Sequence, residues 1–158
     1  MNFPGRRVVT GHDANGRAIV QIDDMPKNVV SRRAGHSSAV LWTTDSMPAD
    51  NNGHSDEALR KVDRATADGT VFRIAQLAPG VAPARHRMES IDYIVILSGE
   101  VDMELDGTEV HLKAGDLLVQ RGTIHNWVNR GTEPCVYVVV LVSAKPVTAG
   151  SKVLNATG

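Results

Sequence analysis

The sequence has little cysteine, few aromatic residues and no long apolar run. Cys135 is the one cysteine among 158 residues, so no intrachain disulfide can form and a reducing, cytoplasmic compartment is expected. No apolar stretch approaches the roughly 20 residues that a membrane helix needs. The first residues lack the apolar block of a secretory signal. These absences exclude a disulfide scaffold and predict a protein with no membrane partner.

The sequence also lacks an excess of either positive or negative charge. The chain carries 17 basic and 18 acidic side chains, a formal net charge of -1. Such a balance supplies no field for holding nucleic acid or an anionic membrane surface, so neither partner is expected. A chain of this length is typical of one domain with a sizeable core.

The second half of the chain has a repeated strand-and-turn pattern. Runs of four to eight residues rich in Val, Ile and Leu follow one another, most of them closed by a turn that contains glycine. Many short strands with no helical pattern between them predict an all-β antiparallel sandwich or barrel. The predicted strands are residues 70–77, 84–88, 91–97, 100–105, 108–112, 117–120, 124–128 and 135–142.

The first half of the chain has a less regular pattern of apolar and polar residues. It predicts a hairpin over residues 6–23 that turns at Asn15-Gly16, one strand over 39–42, and a short helix over 56–64 capped by Ser55. The last residues lose the pattern and are expected to form an arm or a frayed end. The predicted organisation is an N-terminal extension of short strands and loops that packs on the barrel (1–69), a barrel core (70–142) and a tail (143–158).

One hairpin can be predicted residue by residue. A two-residue turn at Asp106-Gly107 pairs Met103 with Val110 and Asp102 with His111. His111 is therefore expected on the polar face beside a carboxylate, as a surface pair and not as a ligand.

Candidate chemistry lies among histidines and carboxylates that share an inner face. His86, Met88 and Asp92 have the same parity, so an uninterrupted strand directs them to one side. His125 comes from a separate strand. Two imidazoles and one carboxylate would form a three-ligand site that suits iron, manganese or zinc. The alternative is a pair of hydrogen-bonded histidines in a metal-free pocket.

Residues 80–99 and 115–129 resemble the two signature motifs of the cupin superfamily. The first motif is matched by Gly80, five residues, His86, Arg87, Met88, three residues, Asp92, six residues and Gly99. In the second, Gly115, Gly122, His125 and Asn129 match, Gln120 stands at the proline and the first gap is one residue shorter. The chain most resembles small single-domain bacterial cupins with the stretch His86-Arg87-Met88-Glu89-Ser90-Ile91-Asp92-Tyr93.

This resemblance implies a double-stranded β-helix, the cupin jelly-roll barrel, over roughly residues 70–142. It also implies a divalent metal held by His86, Asp92 and His125. Asp92 replaces a glutamate, and Met88 replaces a histidine with a thioether, which is a poor ligand for hard or borderline ions. The site therefore has at most three conventional ligands.

Neighbouring residues have open alternatives. Asp92 could instead hold a backbone amide or pair with Arg87, and Glu89 is a second carboxylate whose parity directs it outward. Met88 is expected to line the pocket, while Trp127 either lines it or packs in the core. Asn129 is expected to secure a turn. The remaining expectations are that the front-half histidines, His12, His36 and His54, lie in loops and that Cys135 is a buried small hydrophobe.

Three functions are consistent with these residues. The first is a metal-dependent oxidoreductase or lyase that acts on a small, oxygen-rich molecule inside the barrel, with Fe, Mn or Zn as cofactor. Dioxygenase, decarboxylase, isomerase and lyase reactions all fit it. The second is a barrel that binds a small apolar ligand without catalysis. The third is an assembly role, in which the hairpin over residues 6–22 covers a strand edge in a homodimer.

Overall fold

The computed structural model describes residues 5–62 and 68–158, which form an all-β fold. One short 3-10 helix, Glu57–Leu59, interrupts the strands. No helix in the described ranges is long and apolar enough to cross a membrane. The strands are β1 (Arg7–His12), β2 (Ala18–Asp24), β3 (Val29–Arg33), β4 (His36–Thr44), β5 (Thr70–Leu77), β6 (Ser90–Ser98), β7 (Glu100–Glu104), β8 (Glu109–Lys113), β9 (Leu117–Arg121), β10 (Asn126–Val128), β11 (Cys135–Ser143), β12 (Val147–Ala149) and β13 (Lys152–Leu154).

Two antiparallel sheets enclose the core. The larger has six strands in the order β3-β4-β5-β11-β6-β9, and the smaller has three in the order β10-β7-β8. Consecutive strands are often not neighbours, because the chain crosses between the sheets, as expected for a double-stranded β-helix. The predicted all-β barrel class is confirmed.

Alternation along the strands explains which residues face inward. In β5 the buried Val71, Ala75 and Leu77 lie on one face, whereas Phe72 is exposed on the other. The smaller sheet contributes Met103 and other apolar residues to the same core. Burial of these two facing surfaces stabilises the barrel by removing apolar area from water.

The hairpin of β7 and β8 has the predicted register. Met103 pairs with Val110 and Asp102 with His111. The turn requires Gly107, whose φ is 76°. His111 Nδ1 lies 2.7 Å from Asp102 Oδ1 on the exposed side, so the expected surface pair is also confirmed.

The N-terminal extension joins the large sheet. β4 runs for nine residues, longer than predicted, and pairs with β5, while the unpredicted β3 pairs with β4. The predicted helix over 56–64 is wrong for its described residues, since only a 3-10 turn forms and Asp56 caps it instead of Ser55. Residues 63 and 64 of that prediction lie outside the described residues.

The C-terminal segment forms strands, so of the two expectations, an arm or a frayed end, the frayed end is wrong. Its strands β12 and β13 pair with each other, and Thr157 forms an isolated bridge with Arg87. The strand predicted over 84–88 is reduced to two such bridges, because His86 pairs only with His125 and Arg87 only with Thr157.

Candidate functional site

A cavity of about 260 Å³ opens between the inner face of the large sheet and the segments that carry the two histidines. Every residue predicted for the site lines it. These are His86, Met88, Asp92, His125 and Trp127. All five therefore lie at one cavity, and their roles there stay predictions.

His86 and His125 form a facing pair. Their backbones exchange two hydrogen bonds, each with an N···O distance of 3.0 Å. This bridge holds the two imidazole rings with their centroids 4.2 Å apart. The ring contact follows from the pairing of the segments, since directly opposed residues of an antiparallel pair lie close together.

Both imidazoles are oriented by backbone carbonyls. His86 Nδ1 lies 2.8 Å from the Ala84 carbonyl oxygen, and His125 Nδ1 lies 3.0 Å from that of Thr123. A carbonyl oxygen can only accept, so each Nδ1 carries a proton. Burial, with a smaller effect of the neighbouring His86, lowers the pKa of His125 to about 4. His125 is therefore a neutral imidazole at physiological pH.

Asp92 lies on the inner face of β6 and is 6% exposed. Ser90 Oγ donates a 2.5 Å hydrogen bond to Asp92 Oδ1. Burial raises the pKa of the Asp92 carboxyl, and the Ser90 hydrogen bond partly opposes that rise. The partner of Asp92 is thus a side-chain hydroxyl, and neither a backbone amide nor Arg87.

Met88 and Trp127 supply apolar lining. Trp127 combines both expected roles, because it lines the cavity and also stacks on Tyr137, with ring centroids 5.6 Å apart. Glu89 is directed away from the cavity, as its parity predicts, and its Oε1 accepts a hydrogen bond from the Ala156 amide.

The predicted metal site is not assembled as a three-ligand group. Among residues 5–62 and 68–158, no three His, Cys, Asp or Glu side chains are placed together to hold a metal ion. The two imidazoles face each other, but the Asp92 carboxylate is engaged by Ser90. Since Met88 offers only a thioether, the described side chains do not fit a conventional metal centre. Metal binding by His86, Asp92 and His125 stays a prediction.

The cavity is also lined by polar residues that were not predicted from the sequence to belong to the site. They are Arg32, Arg33, His36, Arg73 and Gln120. The sequence pattern could have predicted that Arg73 faces the cavity, because it takes an inward position of β5 between Val71 and Ala75. Gln120 gave no such signal, since apolar residues occupy both faces of β9 around it.

His36 corrects an expectation, because it opens β4 and lines the cavity instead of lying in a loop. Its pKa falls to about 4 through burial and the positive charge of nearby arginines. His36 Nδ1 and Gln120 Oε1 are both buried without a hydrogen-bond partner. Buried polar atoms nearly always have a hydrogen-bond partner, so these two atoms are open to a water molecule or a polar ligand in the cavity.

Two asparagines fix the surrounding loops. Asn126 Oδ1 accepts from the Ala84 amide and its Nδ2 donates to Glu104 Oε2, both at 2.9 Å, which ties the His86 segment to β7. Asn129 Nδ2 donates to the carbonyls of Leu77 and Glu133. Its predicted role in securing a turn is confirmed.

Cys135 is buried among the core residues of the large sheet. Burial raises the pKa of its thiol to about 11, so it stays protonated and poorly nucleophilic. The expectation that it acts as a small hydrophobe is consistent with this environment.

Comparison with known proteins assigns the chain to a protein family. The cupin domain family model matches residues 73–141. The phomopsin biosynthesis cluster protein C' of Diaporthe leptostromiformis is 38% identical, with 94% of this chain and 84% of that protein covered. The cupin-domain-containing oxidoreductase fogC of Aspergillus ruber is 35% identical, with 92% and 76% covered. The chain belongs to the cupin family.

A solved structure supports the same fold. The polyketide cyclase RemF from Streptomyces resistomycificus aligns with a TM-score of 0.52 and 17% identity, over 83% of this chain and 78% of that one. The narrower resemblance to bacterial cupins is not supported, because the two relatives described above are fungal.

Proposed function

We propose that this protein is an enzyme that acts on a small, oxygen-rich metabolite inside the cavity. The observation that carries the proposal is the meeting of two facing imidazoles and a buried carboxyl on the wall of one cavity. The relatives support it, since one is a cupin-domain-containing oxidoreductase and another is a biosynthesis cluster protein.

Asp92 is the group suited to proton transfer. A carboxyl whose pKa is raised by burial is a stronger base than an exposed one and can also return the proton as an acid. Ser90 holds Oδ1 in place, which orients the carboxyl without a paired cation. Removal of a proton next to a substrate carbonyl is a step that isomerase and lyase reactions share, and Asp92 is the residue assigned to it.

His125 and His86 are suited to orient the substrate. The neutral His125 presents a lone pair at Nε2, which accepts a hydrogen bond from a hydroxyl group. An oxygen-rich metabolite would be held between this acceptor and Asp92 while water is excluded by Met88 and Trp127.

A second candidate is a metal-dependent oxidoreductase, which is favoured by the name of the fogC relative, a cupin-domain-containing oxidoreductase. His86 and His125 would supply two imidazole ligands for Fe, Mn or Zn, and such an ion would provide Lewis-acid or redox chemistry. The described carboxylates do not complete a three-ligand group with them. The acid–base role of Asp92 therefore has the stronger support.

Elemental mass spectrometry separates the two candidates. Tag-free protein purified without chelators is compared with His125→Ala and with His54→Ala, a histidine outside the cavity. The acid–base candidate predicts less than about 0.1 metal ion per chain, and no uptake when Fe, Mn or Zn is added. Near-stoichiometric metal that is lost in His125→Ala and kept in His54→Ala would replace it with the metal-dependent candidate.

The non-catalytic alternative is favoured by the apolar lining, because Met88 and Trp127 would suit a bound hydrophobic ligand. A binding protein returns its ligand unchanged, whereas an enzyme converts many molecules per chain. The non-catalytic alternative also predicts that the ligand raises the midpoint temperature of thermal unfolding, and that adding a chelator does not change this rise.

A further inference from the structure

Arginines occupy one wall of the cavity. Arg33 ends β3 opposite His36, which opens β4. Arg73 lies on β5 opposite Val40 on one side and Val139 on the other, in a row whose neighbours face the core. Arg32 also lines the cavity. The placement is fixed by strand register, so the arginines are built into the sheet and do not come from a loose surface loop.

Acidic side chains are scarce in the described lining of the cavity. Among the described lining residues Asp92 is the one acidic side chain, and its hydrogen bond comes from Ser90. Arg33 and Arg73 each have an interaction of their own within the chain. A guanidinium has five N–H donors, so it can keep an intramolecular partner and still bind a ligand oxygen.

The positive potential reaches across the cavity. Arg33, Arg32 and Arg73 each contribute, after burial, to the lowered pKa of His36. Arg33 also contributes to the lowered pKa of His125, on the segment that faces the sheet. The arginine charge is therefore felt at more than one wall of the cavity.

We propose that the cavity recognises its substrate by a carboxylate group, which Arg33 and Arg73 bind from the large sheet. This inference rests on the proposed function, because it names the substrate class of the same site. The planar guanidinium matches a carboxylate with two parallel N–H···O bonds, which gives orientation as well as affinity. A carboxylate held there leaves the rest of the molecule beside Asp92 and His125.

The remainder of the substrate is small. An apolar cavity of about 150 Å³ holds benzene, so a cavity of about 260 Å³ has room for one substituted ring or a short branched chain. Met88, Ile94 and Trp127 provide the apolar contact for such a group. The substrate class is therefore a single-ring or short-chain carboxylic acid.

The test is an NMR titration with benzoate and with its neutral analogue benzamide. The chain has two tryptophans. The indole N–H of Trp127 reports on the cavity, and that of Trp42, which lies outside it, is the internal reference. Arg73→Gln and Arg33→Gln, on separate strands, are compared with Arg17→Gln, a matched change on the exposed turn after β1. Two cavity variants are used in case one fails to fold.

Benzoate is expected to shift the Trp127 signal at concentrations about tenfold lower than benzamide does, because hydrogen bonds to a charged group are stronger. Each cavity variant should bind benzoate about tenfold more weakly than the parent does and should bind benzamide with unchanged affinity. Arg17→Gln should bind both compounds as the parent does. Equal binding of the two compounds would overturn the carboxylate inference and leave the small-molecule site standing. Binding of neither compound would overturn both.

Discussion

His36 is neutral in the folded protein at physiological pH, and its surroundings explain why. Burial is the largest cause of its pKa of about 4, and Arg33, Arg32, Arg73 and His86 add to it. An unfolded histidine takes up a proton near pH 6.5. Stability from this residue is therefore complete above pH 6.5 and is lost as the pH falls toward 4.

The change His36→Gln removes this titration. Between pH 7 and pH 4.5 the parent should lose about 1 kcal/mol more unfolding free energy than His36→Gln, a figure already reduced for the partial exposure of His36. Urea denaturation at the two pH values measures it. Identical losses in both proteins would show that His36 is not held neutral by the fold.

At the residue scale, sequence parity predicted which motif residues line the cavity but not the whole site. His86, Met88 and Asp92 all line the cavity, although the continuous strand that parity requires is absent, since only isolated bridges at His86 and Arg87 precede β6. Arg33 lies on β3, which pairs with β4, and His36 lies on β4, which pairs with β5 far along the chain, so local pattern does not contain their placement. Ser90 has the same parity as Asp92, but parity does not specify the hydrogen bond between their side chains.

At the scale of elements, the segment that carries His86 is held by few backbone bonds. It forms isolated bridges rather than a strand, and Asn126 anchors its start by accepting from the Ala84 amide. The same side chain donates to Glu104 on β7. Asn126 is buried, so both bonds are protected from water.

The change Asn126→Ala removes both bonds and leaves the Ala84 amide unsatisfied. We expect a loss of about 2 kcal/mol of unfolding free energy, and faster amide hydrogen exchange over residues 84–88. Hydrogen-exchange mass spectrometry measures the rate of amide exchange over residues 84–88 directly. Glu104→Gln is the matched control, because it keeps an acceptor for Asn126. Unchanged exchange over 84–88 in Asn126→Ala would contradict the anchoring role.

The elements themselves were largely predictable from sequence between residues 70 and 142. Glycine turns and apolar runs mark β5 to β9 and β11 within a residue or two. Prediction failed where elements depend on tertiary contacts. β3 consists of polar and β-branched residues that pair only with β4, and the final hairpin lies in a segment with few apolar residues.

At the scale of the whole molecule, the outer face of the large sheet has an apolar row. Phe72 pairs with Val140, Val140 with Tyr93, and Tyr93 with Val119, so the four side chains follow one another across adjacent strands. Phe72, Tyr93 and Val119 are exposed. Exposed apolar patches of this kind often mark interaction surfaces. We propose that the row is buried in a homodimer.

Light scattering after size-exclusion chromatography measures the mass of the assembly and so tests the homodimer directly. The parent should have twice the 17.0 kDa mass of the chain, and Val119→Lys should reduce it to one chain because a charge is buried in the interface. The control is Val20→Lys, which is equally exposed, at 58%, on the N-terminal hairpin. A parent that elutes with the mass of one chain would contradict the dimer.

Conversion of a metabolite is the decisive test of whether the cavity performs a reaction in which Asp92 takes part. Purified parent protein, Asp92→Asn and the outward-facing control Glu89→Gln are each incubated with a small-molecule extract of the source organism and followed by liquid chromatography and mass spectrometry. The parent and Glu89→Gln should consume one acidic compound and form one product, and Asp92→Asn should slow this by about 100-fold or more. Conversion by Asp92→Asn at the parental rate, or an extract that the parent leaves unchanged, would contradict the account.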